Sequence, residues 1–75
     1  MPRFKVRHIP KHRTVEGQEV WEYSLNDRYC KVVHQRHGSY VIRAWDAETR
    51  YLPATARNQK DALKKARDFV TATTR

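Results

Sequence analysis

The sequence predicts an α+β domain: an antiparallel meander sheet of three to four strands with one C-terminal helix packed on one face. Three observations carry that expectation. Runs with the strand period of two, QEVWEYSL, RYCKVVHQ and SYVIRAWD, follow one another with turn residues between them. A single later stretch, NQKDALKKARDFV, gathers Ala62, Leu63, Ala66, Phe69 and Val70 on one side of a 3.6-residue period. Finally, the registers implied by the separate turns agree on which side of the sheet is apolar, the consistency a specified fold should show.

The chain has 75 residues. That is one domain, in a size range where a single core supplies only about 3 to 5 kcal/mol. Its first segment holds Arg3, Lys5, Arg7, Lys11 and Arg13, with His8 and His12 between them and no acid before Glu16. Phe4 to Ile9 alternates as an edge strand would, but Pro2 and Pro10 bracket it and limit ladder pairing, and termini of small domains are usually loose. Residues 1–15 are therefore expected to be a basic arm, and residues 16–75 the single sheet-and-helix domain.

The strand from Gln18 to Leu25 ends at Asn26 and Asp27, residues suited to a two-residue hairpin turn. Such a turn sets Tyr23 opposite Cys30 and Trp21 opposite Val32. The next connection, Arg36, His37 and Gly38, fits a three-residue loop with Gly38 in the left-handed region. It places Val32 opposite Ile42 and Cys30 opposite Ala44. A three-residue loop over Ala47 to Thr49 then puts Leu52 opposite Ala44 and Ala54 opposite Ile42, so the helix is offered one continuous apolar face.

By the same registers the other face carries Tyr29, Lys31, Val33, Gln35, Val41, Arg43, Trp45 and Tyr51, with Glu22 opposite Lys31 as a cross-strand ion pair. A face left uncovered by the helix should be plainly polar. This one mixes cations and an amide with aromatic rings, side chains that contact base edges, phosphates and unpaired bases. The bland alternative is a Trp45–Tyr51 pair covered by the N-terminal arm.

At the helix start, Asn58 is a suitable N-cap, with Asp61 three residues on approximating a capping box. Arg57 and Lys60 bring positive charge to the same end, which a bound phosphate would offset. Leu63 and Phe69 are expected in the core, Phe69→Ala costing roughly 3 to 5 kcal/mol.

Lys and Arg number 16 against 8 Asp and Glu, a net charge of +8 on a small surface. Polyanions are the natural partner of such a field, since neutralising phosphates releases counterions. One cysteine excludes an intramolecular disulfide; Cys30 reads as a small buried apolar residue of a protein in a reducing, cytoplasmic setting, and no apolar run approaches membrane-span length. Cys30, His34 and His37 match no usual zinc spacing, no Ser/His/Asp or paired-carboxylate arrangement is present, and two glycines cannot build a phosphate-cradling loop. Neither an enzyme nor a cofactor is expected.

Tyr40, Ile42, Arg43, Trp45 and Asp46, then Arg50 and Tyr51, then Asn58, Gln59, Lys60, Asp61 and Ala62 form a pattern. It is similar to the N-terminal arm-type DNA-binding domain of phage and transposon tyrosine integrases, over about residues 30–70. That resemblance implies three antiparallel strands and a helix, with the sheet inserted into the major groove. Thr49 stands where the family has a glycine in the turn, Ala56 where an aromatic precedes the helix cap, and the strand from Gln18 to Leu25 is extra. The expected function is a small stand-alone nucleic-acid-binding protein of a phage or mobile element, with duplex DNA as partner. The expected contacts are Lys31, Gln35, Arg43, Trp45 and Tyr51 on the sheet, Arg57 and Lys60 at the helix start, and Arg3, Lys5, Arg7, Lys11 and Arg13 in the arm. The competing expectation is a protein-binding inhibitor or adaptor anchored by the same aromatics.

Overall fold

The computed structural model describes residues 4–72. Five strands, β1 (Lys5–Ile9), β2 (Val20–Leu25), β3 (Arg28–His34), β4 (Tyr40–Trp45) and β5 (Ala54–Ala56), precede one helix, α1 (Gln59–Thr71). The strands form one antiparallel sheet in sequence order, with a short 3-10 turn at Lys11–Arg13 between β1 and β2. The fold class is the expected one with an additional strand. No helix among the described residues is long and apolar enough to cross a membrane.

The additional strand, β1, lies within residues 1–15, which were expected to be a loose arm. Lys5–Ile9 pairs with β2 along its whole length, from Lys5 opposite Ser24 to Ile9 opposite Val20. Pro10 does not prevent this, because it stands just past the ladder and opens the 3-10 turn. Side chains fasten the strand as well: Phe4 lies against the Tyr23 ring at 5.8 Å, His8 stacks on Trp21 at 5.3 Å, and the His8 imidazole meets the Glu19 carboxylate.

Both central hairpins have the expected register. Trp21 faces Val32 and Tyr23 faces Cys30; Val32 in turn faces Ile42, and Cys30 faces Ala44. The first turn is set by Asn26, whose φ of 57° is tolerated because its short side chain accommodates the left-handed region. In the second, Gly38 has φ 105°, a left-handed conformation open to glycine, and its N–H donates to the Gln35 carbonyl at 3.0 Å.

The connection after β4 differs. Trp45 pairs with Arg50, so the loop holds four residues, Asp46 to Thr49, instead of three. Asp46 is the cause: its Oδ1 accepts from the N–H groups of Glu48 and Thr49 at 2.9 and 2.8 Å, and its Oδ2 accepts from the Tyr51 hydroxyl at 2.6 Å. The phenol hydrogen bond, then those two N–H groups, hold the Asp46 carboxyl below the usual carboxylate range. The longer turn moves Tyr51 to the helix side of the sheet, and the register recovers only at Ala54, which faces Ile42 as expected. Leu52, expected opposite Ala44, is instead 92 % exposed.

The helix begins as predicted, with Asn58 Oδ1 accepting from the Asp61 N–H at 2.8 Å. Ala62, Ala66 and Val70 are fully buried against Trp21, Tyr23, Cys30, Val32, Tyr40, Ile42 and Ala56. Two alanines at the contact let the helix lie close to the sheet, so Ala66→Leu is expected to overpack it at a cost of about 1 to 3 kcal/mol. A lower urea midpoint measures this, and an unchanged midpoint would reveal spare room between helix and sheet.

Phe69 is a correction. Its ring is only partly buried at the edge of the core, with Tyr51 edge-on at 5.3 Å and the Arg28 guanidinium 4.1 Å from its centroid. Arg28 Nε also donates to the Phe69 carbonyl at 2.9 Å, placing a cation at the negative end of the helix. Of the residues expected on the core face of the helix, Val70 is fully buried while Leu63, like Phe69, is only partly so, and Phe69→Ala should cost less than truncating a fully buried aromatic would.

Candidate nucleic-acid interface

Strand alternation assigns the helix-free face once the core is known. Val20, Glu22 and Ser24 on β2, Tyr29, Lys31 and Val33 on β3, and Val41, Arg43 and Trp45 on β4 point away from α1. The β1 register adds Lys5, Arg7 and Ile9 to this side, and Arg50 joins it opposite Trp45.

These residues form three cross-strand rows of different chemistry. The first runs Lys5, Ser24, Tyr29, Trp45, Arg50; its two rings stack at 5.9 Å with 15° between their planes. The second runs Arg7, Glu22, Lys31, Arg43. The third runs Ile9, Val20, Val33, Val41, Thr55 and is apolar up to the Thr55 hydroxyl at its end, with Val20 buried although the helix lies on the opposite side.

Glu22 is the carboxylate within these rows. It was expected to pair with Lys31, and the register does set them opposite each other, but the ion pair goes to Arg7, whose Nη1 lies 3.8 Å from Glu22 Oε1. Both partners are substantially exposed, so the pair contributes little to stability. Lys31 and Arg43, adjacent across β3 and β4, are thereby left beside one another without a second carboxylate in their row. A hollow of about 270 Å³ opens between the edge strand and the ring pair, lined by Lys5, Arg7, Glu22, Ser24, Tyr29 and Trp45 among others.

The expected contact residues separate into groups. Lys31, Arg43, Trp45, Lys5 and Arg7 come together on this face. Tyr51 does not: it lies across the sheet against Phe69, and its hydroxyl, donated to Asp46, is held above its ordinary pKa by that bond. Gln35 is four residues beyond Lys31, about 13 Å along the strand, with the apolar row between it and Arg43. It lines a second hollow together with Lys11, His12 and Arg36. Lys11 and Arg13 belong to the exposed 3-10 turn. Arg57 and Lys60 sit at the helix start, near Asn58 and Asp61, and are not part of the row of Lys31 and Arg43. Arg3 lies outside the described residues.

Tyr29 and Arg50 stand in the ring row of this face and were not among the expected contacts. Tyr29 was legible, since the first two turns alone set it opposite Trp45. Arg50 was not, because its side depends on the extra residue that Asp46 adds to the turn. Cys30, at 1 % exposure, is on the helix side, and burial pushes its thiol up to about 11, so it stays protonated at neutral pH. His34 stacks on Tyr40 at 4.4 Å and His37 contacts the Ser39 hydroxyl, so the three side chains do different structural tasks.

No family model, no curated protein and no solved structure matches this chain.

Proposed function

We propose that this chain is a small nucleic-acid-binding protein, of the kind carried by phages and other mobile elements, and that it binds through the helix-free face. The observation that supports this best is the two adjacent rows in which Lys5, Arg7, Lys31, Arg43 and Arg50 surround the stacked Tyr29–Trp45 pair, against the one carboxylate of Glu22. Cations there can neutralise phosphates, and the rings offer flat apolar surface to sugars or bases. The net charge of +8 acts in the same direction by drawing a polyanion to the surface.

Arg43→Ala is expected to weaken nucleic-acid binding by about 1 to 3 kcal/mol while leaving the melting temperature nearly unchanged, since Arg43 is exposed and contributes little to folding. Lys31→Ala should lower affinity similarly for all sequences and reduce the slope of log affinity against log salt by about one. Fluorescence anisotropy across a salt series, with thermal melts of each variant, measures both. Unchanged binding in both variants would refute the sheet-face mechanism.

The exposed Tyr29 ring and the half-buried Trp45 ring also suit a second reading, in which they anchor a protein partner. Salt separates the two. Affinity set by counterion release falls linearly in log salt, whereas an aromatic-anchored protein interface is far less sensitive.

A further inference from the structure

Given the nucleic-acid reading, on which this rests, we infer that the face takes single-stranded DNA, with unpaired bases stacking on Tyr29 and Trp45, and not a duplex groove. Width is the first argument. Strands lie about 4.8 Å apart, so β1 to β4 already spans about 14 Å between outer backbones before side chains are added. A major groove is about 12 Å wide. A three-stranded sheet can enter it; this sheet, with β1 and β2 extending the face on one side, presents too broad a surface.

The arrangement of side chains is the second argument. The ring pair lies between flanking cations in its own row, Lys5 toward one edge and Arg50 toward the other, with Lys31 and Arg43 in the row beside it. The hollow beside the rings, about 270 Å³, has Lys5 and Arg7 along its far wall. A base inserted there stacks on an aromatic surface while its phosphate meets those two cations. Bases inside a duplex are already stacked and paired, so only a single strand can use rings in this way.

The apolar row selects deoxyribose. Ile9, Val33 and Val41 border the cationic row on the side away from the rings and offer contact to a sugar or a thymine methyl, the one hydroxyl of that row, Thr55, lying at its far edge on β5. A ribose 2′-hydroxyl laid on that belt would lose water without gaining a partner.

The test compares a short labelled DNA strand, the same strand annealed to its complement, and the RNA of the same sequence, by anisotropy at one salt concentration. The single DNA strand should bind at least tenfold more tightly than the duplex, and more tightly than the RNA. Tyr29→Ser and Trp45→Ala should each weaken single-strand binding by about tenfold or more, with Trp45→Phe restoring most of the loss. Tyr29 is 39 % exposed, so its variant keeps the test valid if Trp45→Ala proves unstable. Equal or tighter duplex binding, or single-strand binding indifferent to Tyr29→Ser, would overturn the inference while leaving the nucleic-acid function standing. Tighter binding of RNA would overturn the choice of DNA. Failure to bind any of the three at low salt would remove the proposed function, and this inference with it.

Discussion

Trp21→Ala is expected to abolish cooperative unfolding at 25 °C. Trp21 is 6 % exposed, with the His8 imidazole stacked at 5.3 Å and the Tyr40 ring at 6.0 Å, and it faces Val32 at the centre of the sheet. Truncating a buried Trp costs about 3 to 5 kcal/mol, because the transfer free energy is lost and a cavity remains. That equals the whole stability expected of a domain this small, about 3 to 5 kcal/mol. A small alanine-lined helix cannot drop into the space, since Ala62 and Ala66 already sit at full burial against the same surface. Near-UV circular dichroism and a urea titration measure the result. A sharp transition near the parent midpoint would mean that the sheet tolerates loss of its central ring and that the core is assigned to the wrong residues.

Deleting residues 1–10 should have an effect of comparable size. A loose basic arm could be removed with a loss of charge and nothing else. Here the deletion takes away β1, and with it the ladder to β2, the Phe4 ring over Tyr23 and the His8 ring over Trp21. Each ladder hydrogen bond is worth about 0.5 to 1.5 kcal/mol net, and two buried aromatics would gain access to water. The truncated chain should therefore lose most of its stability, and its nucleic-acid affinity per folded molecule should fall with Lys5 and Arg7. The helix does little to compensate, because its main contacts are with β2 to β5. A truncated chain melting cooperatively within a few degrees of the parent would show β1 to be peripheral.

The three rows of the helix-free face were only partly readable beforehand. Lys31, Arg43 and Trp45 could be placed on it because the Asn26–Asp27 and Gly38 turns have residue signatures that fix their lengths, and strand alternation then decides every side chain between them. Lys5, Arg7 and Ile9 carried the same alternation, but Pro2 and Pro10 argued against pairing. What the prolines could not reveal is that Pro10 falls one residue beyond the ladder, where a missing N–H costs nothing. The apolar row of Ile9, Val20, Val33 and Val41 exists only because β1 joins the sheet.

By itself, then, the sequence determined the meander of β2, β3 and β4, the helix with its Asn58 cap, and the apolar face between them, since each is set by neighbours in the chain through turn chemistry and periodicity. Tertiary structure alone decided the positions of β1 and Tyr51. The first depends on whether Phe4, Arg7 and His8 find Tyr23, Glu22, Trp21 and Glu19 at distant positions in sequence. The second depends on a turn lengthened by one residue, in which Asp46 bonds both the backbone and the Tyr51 hydroxyl while Phe69 of the helix receives the ring. One residue reverses the side on which a strand presents every side chain, so the choice goes to whichever register pairs the aromatic ring with a partner across the fold.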